Sequence, residues 1–125
     1  MSRPSRSAGR RAEQLAAIYL TGKGLSLIAR NFSSRVGEID LIMRDRRPDC
    51  LVFIEVRYRR SAQFGGAAAS VVAGKQTRLL RAASLFNLQH PGLAALPQRF
   101  DVLGIEGALW RPRMNWIKNA FETAD

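Results

Sequence analysis

A mixed β-sheet with helices on its faces, ordered α-β-β-β-α-β-β, is the fold class this chain predicts. Two observations predict it. Apolar residues recur at helical spacing near the start and again in the middle of the chain. Short apolar or alternating runs, bounded by Gly, Pro and charged turns, lie between and after those segments. Three strands in a meander, then a helical crossover to further strands, make a mixed sheet. The 125 residues suit one domain, and 46% are hydrophobic, enough for a core.

The elements follow in order. Residues 1–9, "MSRPSRSAG", read as a disordered basic tail, and 10–125 as a single domain. The start has no apolar h-region, so it is not a secretory signal, although its Arg and Ser content faintly resembles a transit peptide. "RAEQLAAIYLTG" (11–22) places Ala12, Leu15, Ala16 and Tyr19 on one helical face, stopped by Gly22 and Gly24. "LSLIARNF" (25–32), "VGEIDLIMR" (36–44) and "LVFIEVRYR" (51–59) read as three strands. "SAQFGGAAAS" (61–70) is small and glycine-rich, hence a loop. It lacks the lysine pattern of a nucleotide-binding loop. Residues 72–90 are helical, with Val72, Leu79, Leu80, Ala83 and Phe86 on the apolar face and His90-Pro91-Gly92 at the end. "PGLAALP" is loop, "RFDVLGIE" (99–106) a fourth strand, and 109–118 hold a fifth. Trp110 and Trp116 read as core or edge packing, and Asp101 as a structural partner of Arg99.

Charge points to a class of partner. Lys and Arg total 20 against 10 Asp and Glu, a net charge of +10. Lys23, Lys75 and Lys118 are the only lysines; the other cations are arginines. A small basic domain suits a polyanion, most often nucleic acid, and an Arg-rich solvated surface is the alternative. Lys75, Arg78 and Arg81 share one side of the second helix and, with Arg59 and Arg60, form a candidate track for phosphates. The one cysteine, Cys50, excludes an internal disulfide and a multi-cysteine zinc site, as suits a reducing cytoplasm. No apolar run approaches the ~20 residues of a membrane helix. No Ser–His–Asp or Cys–His constellation can be argued from the one His and one Cys.

Two acids interrupt otherwise apolar strands: Asp40 in "GEIDLI" and Glu55 in "FIEVRYRR". If Arg44 lies opposite Leu51 across a loop of residues 45–50, register follows. Ile39, Leu41 and Met43 meet Val56, Ile54 and Val52 on an apolar face. On the other face Ile42 meets Phe53, Asp40 meets Glu55, and Glu38 meets Arg57. A one-residue slip would scatter both faces. Like charges placed opposite destabilise a hairpin. A cation compensates, and carboxylate oxygens suit Mg²⁺ or Mn²⁺. Such an ion lowers the pKa of a bound water and neutralises charge on a reacting phosphate. The alternative is a salt-bridged hairpin face without a ligand.

"GEIDLI" and "FIEVRYRR" resemble the Asp…Glu-x-Lys core of the PD-(D/E)XK nuclease superfamily. From about Gly9 to Phe121 the chain more closely resembles the YraN-like family of small bacterial proteins, through "AEQLAAIYL", "GEIDLIMRD", "FIEVRYRRS", "FGGAAASV", "KQTRLLRAA", "RFDVLGI" and "WIKNAF". The resemblance implies a restriction-endonuclease-like fold, like that of Holliday-junction resolvases. It implies metal-dependent cleavage of DNA, with branched or recombination intermediates as substrates and a homodimer as the working assembly. It carries the metal-binding acids onto Asp40 and Glu55, and a third ligand onto the Val56 carbonyl. Glu13 and Gln76 join the site by the same resemblance. Arg57 stands where the superfamily usually has Lys, and a guanidinium cannot act as a base. A non-catalytic nucleic-acid-binding module and a basic RNA-associated protein are therefore the alternatives.

Overall fold

The computed structural model describes residues 6–60 and 73–121. The elements are α1 (Arg6–Gly22), β1 (Ser26–Ser33), β2 (Glu38–Arg46), β3 (Asp49–Arg59), α2 (Ala73–Gln89), α3 (Pro91–Ala94), β4 (Gln98–Glu106) and β5 (Arg113–Phe121). The five strands lie in the order β1-β2-β3-β4-β5. β1, β2 and β3 are antiparallel neighbours, β4 returns parallel to β3 after α2, and β5 is antiparallel to β4. This is the expected mixed sheet with helices on its faces.

Several boundaries differ from expectation. α1 begins at Arg6 rather than near Arg11, so part of the expected tail is helical. α3 occupies part of the "PGLAALP" loop. The β2–β3 pairing continues past Arg44 to Asp45↔Cys50 and Arg46↔Asp49, so the turn is two residues, Arg47-Pro48, with a cis bond between them. Those extra pairs are held by an Arg44–Asp49 ion pair of 2.9 Å. The glycine-rich 61–70 loop and Val72 lie outside the described residues.

Each helix covers one face of the sheet. Ala12, Ala16, Ala17 and Leu20 of α1 pack on Leu41, Met43, Val52, Ile54, Leu103 and Ile105. The run of alanines lets α1 sit close. Gly24 ends the approach at φ 102°, a left-handed conformation suited to glycine, while Leu25 N–H returns to Leu20 O. On the other face Leu79, Ala82, Ala83 and Phe86 of α2 pack on Ile39, Ile42, Leu51, Phe53 and Phe100. Phe86 sits edge-on to Phe53 and Phe32, and each such burial contributes roughly 2–3 kcal/mol.

At the far edge Asp101 does what its sequence position suggested. It is buried, and accepts from Arg99 Nε at 3.0 Å, Trp116 Nε1 at 2.9 Å and the Asn119 N–H at 2.9 Å. Trp116 is therefore edge packing. Trp110 is not: it is 80% exposed. Its neighbour Leu109 takes the place against the core instead.

Candidate metal site at the fork of β2 and β3

The β2–β3 ladder follows the expected register from Leu41↔Ile54 to Arg46↔Asp49. Asp40 and Glu55, Ile39 and Val56, and Glu38 and Arg57 are not among its pairs. The strands part at Asp40. There the Val56 N–H donates to Asp40 Oδ2 at 2.8 Å instead of to a β2 carbonyl. In β1, Asn31 opposite this point has φ 50°, and the β1–β2 register shifts between Leu27 and Ala29. Ile39 joins the α2-side core with Phe32, where simple alternation had placed it with Leu41. Gly37 sits just before the fork. A Cβ there would collide with the Arg78 backbone carbonyl, so glycine lets the start of β2 lie against α2.

Side chains from five elements meet at or beside this fork. Glu55 of β3 is 2% exposed, and among the described residues its Oε2 has no hydrogen-bond donor. Lys75 Nζ of α2 lies 3.4 Å from Glu55 Oε1, and Arg57 Nη1 lies 3.8 Å from the same oxygen. From α1, Glu13 accepts from the Asn31 amide at 2.9 and 3.3 Å, with the amide nitrogen turned toward the carboxylate. A cleft of about 150 Å³ beside Glu13 is lined by Arg10, Gln14, Arg30, Asn31 and Leu41.

Burial and mutual repulsion govern the charges. Burial raises the Glu55 carboxyl to about 8, with the Asp40 charge adding and Lys75 opposing. Burial also raises Asp40, against the lowering effect of the Val56 N–H. Glu13 is raised to about 6, first by burial and then by Asp40. Raised carboxyls at Asp40 and Glu55, with one Glu55 oxygen lacking a donor among the described residues, are arranged to receive a cation or a proton. Among the described residues no three His, Cys, Asp or Glu side chains converge in a metal-holding group. The fit therefore rests on Asp40 and Glu55, and one or two carboxylates are what Mg²⁺ usually takes from a protein.

The structure places Glu55 beside Asp40 and Arg57, and Glu13, which only the family resemblance had pointed to, on the far side of Asp40. It relocates Lys75, expected along a phosphate track, into the fork. No local signal identified that move, because a lysine three residues before Arg78 reads as part of one helix side. Val56 enters through its N–H. Gln76 is half-buried next to Lys75 on α2, Arg59 is half-buried, and Arg60, Arg78 and Arg81 are exposed. Asn31 had no sequence signal as a site residue, and its role follows from its positive φ and its bond to Glu13.

Fold and fork together define a small mixed α/β protein with a buried Glu55 beside a half-buried Asp40 where two antiparallel strands diverge. Residues 12–105 match the uncharacterised protein family UPF0102, and the chain belongs to that family. It is 49% identical over 119 residues to a UPF0102 protein of Stutzerimonas stutzeri (strain A1501), covering 95% of this chain and 98% of the relative. It is likewise 49% identical over 120 residues to one of Alcanivorax borkumensis, covering 95% and 94%. With one of Xanthomonas campestris pv. campestris (strain B100) it shares 50% over 117 residues, covering 94% and 93%. No helix among the described residues is long and apolar enough to cross a membrane.

Proposed function

We propose that this protein is a metal-dependent endonuclease that hydrolyses phosphodiester bonds in DNA, with branched or repair intermediates as its substrates. The observation that carries the reading is the Glu55 carboxylate, buried beside Asp40, with Oε2 lacking a hydrogen-bond donor among the described residues and Oε1 faced by Lys75 and Arg57. Mg²⁺ or Mn²⁺ would be held by Asp40 and Glu55, with the Val56 carbonyl as third ligand, and would supply an acidified water and charge neutralisation.

The chain's own groups do the rest. Asp40 is oriented by the Val56 N–H and lies within hydrogen-bonding reach of the Glu55 carboxyl. Arg57 keeps its proton, so it binds and steadies charge on the phosphate and does not act as a base. Lys75 supplies the ammonium that the Arg57 position lacks. It positions the attacking water and offsets negative charge as the phosphorus is attacked. Gln76 orients that water with its amide. Glu13, fixed by Asn31, closes the site on the α1 side. Arg59, Arg60, Arg78 and Arg81 contact flanking phosphates. A homodimer and a cytoplasmic setting belong to the same reading.

A second reading is a non-catalytic nucleic-acid-binding module on the same core, RNA-associated in one form. The Arg at position 57 and the lack, among the described residues, of a third convergent acid favour it. Incubating nicked, branched and single-stranded DNA with Mn²⁺ separates the two. The nuclease reading predicts cleavage by wild type and its loss in Asp40→Asn and Glu55→Gln. Cleavage that persists in either variant, or binding without any cleavage, contradicts it.

A further inference from the structure

An indole at the surface of a small protein leaves a large apolar area in water, so its position calls for an account. Trp110 is 80% exposed, on the turn between β4 and β5. That turn is fixed rather than loose. Gly107 N–H donates to Arg59 O at 3.0 Å, and the Tyr58 hydroxyl donates to Gly107 O at 3.0 Å. Arg111 N–H closes the turn on Ala108 O at 2.9 Å, and Leu109 is packed on the core. With both neighbours tied down, Trp110 is held outward.

Its surroundings are basic. Arg111 and Arg113 are exposed on the same hairpin, and Arg113 lies over Gly107. Arg59 and Arg60 leave β3 at the base of this turn. Between 106 and 118 the only carboxylate is Glu106. The turn also stands at the catalytic end of the sheet. β3 and β4 are parallel, and their pairing ends at Arg59↔Glu106, four residues beyond Glu55. At about 3.3 Å per residue the turn begins roughly 13 Å from Glu55 along β3. That is about four stacked base steps at 3.4 Å each.

We propose that Trp110 is a stacking platform for an unpaired base of the DNA strand, with Arg59, Arg60, Arg111 and Arg113 holding that strand's phosphates. An outward indole among cations is the arrangement that binds single strands without reading sequence, because every base offers a flat face. A fully paired duplex keeps its bases stacked internally and gives Trp110 nothing to cover. The protein thereby selects DNA with a flap, gap or branch. This selectivity deepens the nuclease reading and rests on it for the choice of DNA, yet it is measured without cleavage.

The test is binding of labelled single-stranded, flapped and plain duplex DNA to the full chain in the absence of divalent metal. Trp110→Ala is expected to weaken the single-stranded and flapped forms about ten-fold and the duplex hardly at all. Trp110→Phe keeps a ring and restores most of the affinity. Single-stranded DNA quenches the tryptophan emission of wild type, and that quench is lost in Trp110→Phe. Equal losses on all three DNAs overturn the proposal, as does unchanged binding by Trp110→Ala. A change of oligomeric state in Trp110→Ala with DNA binding intact overturns it in favour of self-association. If Trp110→Ala binds as wild type does and cleavage by wild type is seen, only this inference fails. If wild type binds no DNA at all, the nuclease reading fails with it.

Discussion

Replacing Glu55 with Gln should stabilise the metal-free protein at alkaline pH, although it removes the residue on which the site depends. The fold raises the Glu55 carboxyl from 4.5 to about 8. The folded state therefore holds a proton that the unfolded chain releases, so stability falls as pH rises from about 4.5 through about 8. At about 1.4 kcal/mol per pH unit the penalty reaches roughly 5 kcal/mol above pH 8. Gln removes that penalty but leaves a buried amide without its full set of partners, which costs about 1–3 kcal/mol. The net expectation is a gain of about 2–4 kcal/mol above pH 8, shrinking toward zero or below near pH 4. Urea unfolding of both proteins between pH 4 and 9, in chelator, reads this directly. Saturating Mn²⁺ should reverse the order, since a ligand bound only by the native state stabilises wild type. An unchanged or lower midpoint for Glu55→Gln at pH 9 in chelator would refute the claim that burial strains this carboxylate.

Gly37→Ala should cost about 1–3 kcal/mol in urea unfolding, because its Cβ meets the Arg78 backbone carbonyl and neither side is a flexible chain end. Lys75→Gln should cut cleavage about 100-fold or more while leaving DNA affinity and its salt dependence close to wild type; an unchanged cleavage rate returns Lys75 to the phosphate track. Asp101→Leu should destabilise by about 3–5 kcal/mol, since it strips Arg99, the Trp116 indole and the Asn119 N–H of their shared acceptor. Asn31→Ala should move the pH dependence of any cleavage upward at its acid end, because the amide holds the Glu13 carboxyl down while burial and Asp40 raise it.

Much of this fold was legible because its strands are apolar on defined faces. A sheet that buries both faces punishes a slip at every position, so the pairing of Leu41 with Ile54 and Ile42 with Phe53 followed from pattern alone. The same arithmetic failed at Ile39, which packs with Phe32 on the α2 side. Opposite the fork Asn31 takes a φ of 50°, a conformation asparagine tolerates but whose adoption a strand sequence does not announce. Asp40 was readable as a candidate site residue through its motif, and Glu13 only through the family resemblance. Lys75 was not, because the reach of a long side chain depends on where its helix crosses the sheet. Gly37 announced itself only through the close approach it permits, which no periodicity encodes. Trp110 inverted expectation for a related reason. Leu109 and Trp110 competed for one place against the core, and the turn's hydrogen bonds decided in favour of Leu109.

Crystals of the protein soaked in Mn²⁺ and examined by anomalous diffraction test the account at its centre. The account predicts one anomalous peak between the Asp40 and Glu55 carboxylates, within coordination distance of both, and none in crystals of Glu55→Gln. Saturating Mn²⁺ with no peak at the fork, or a peak that survives Glu55→Gln, would contradict it.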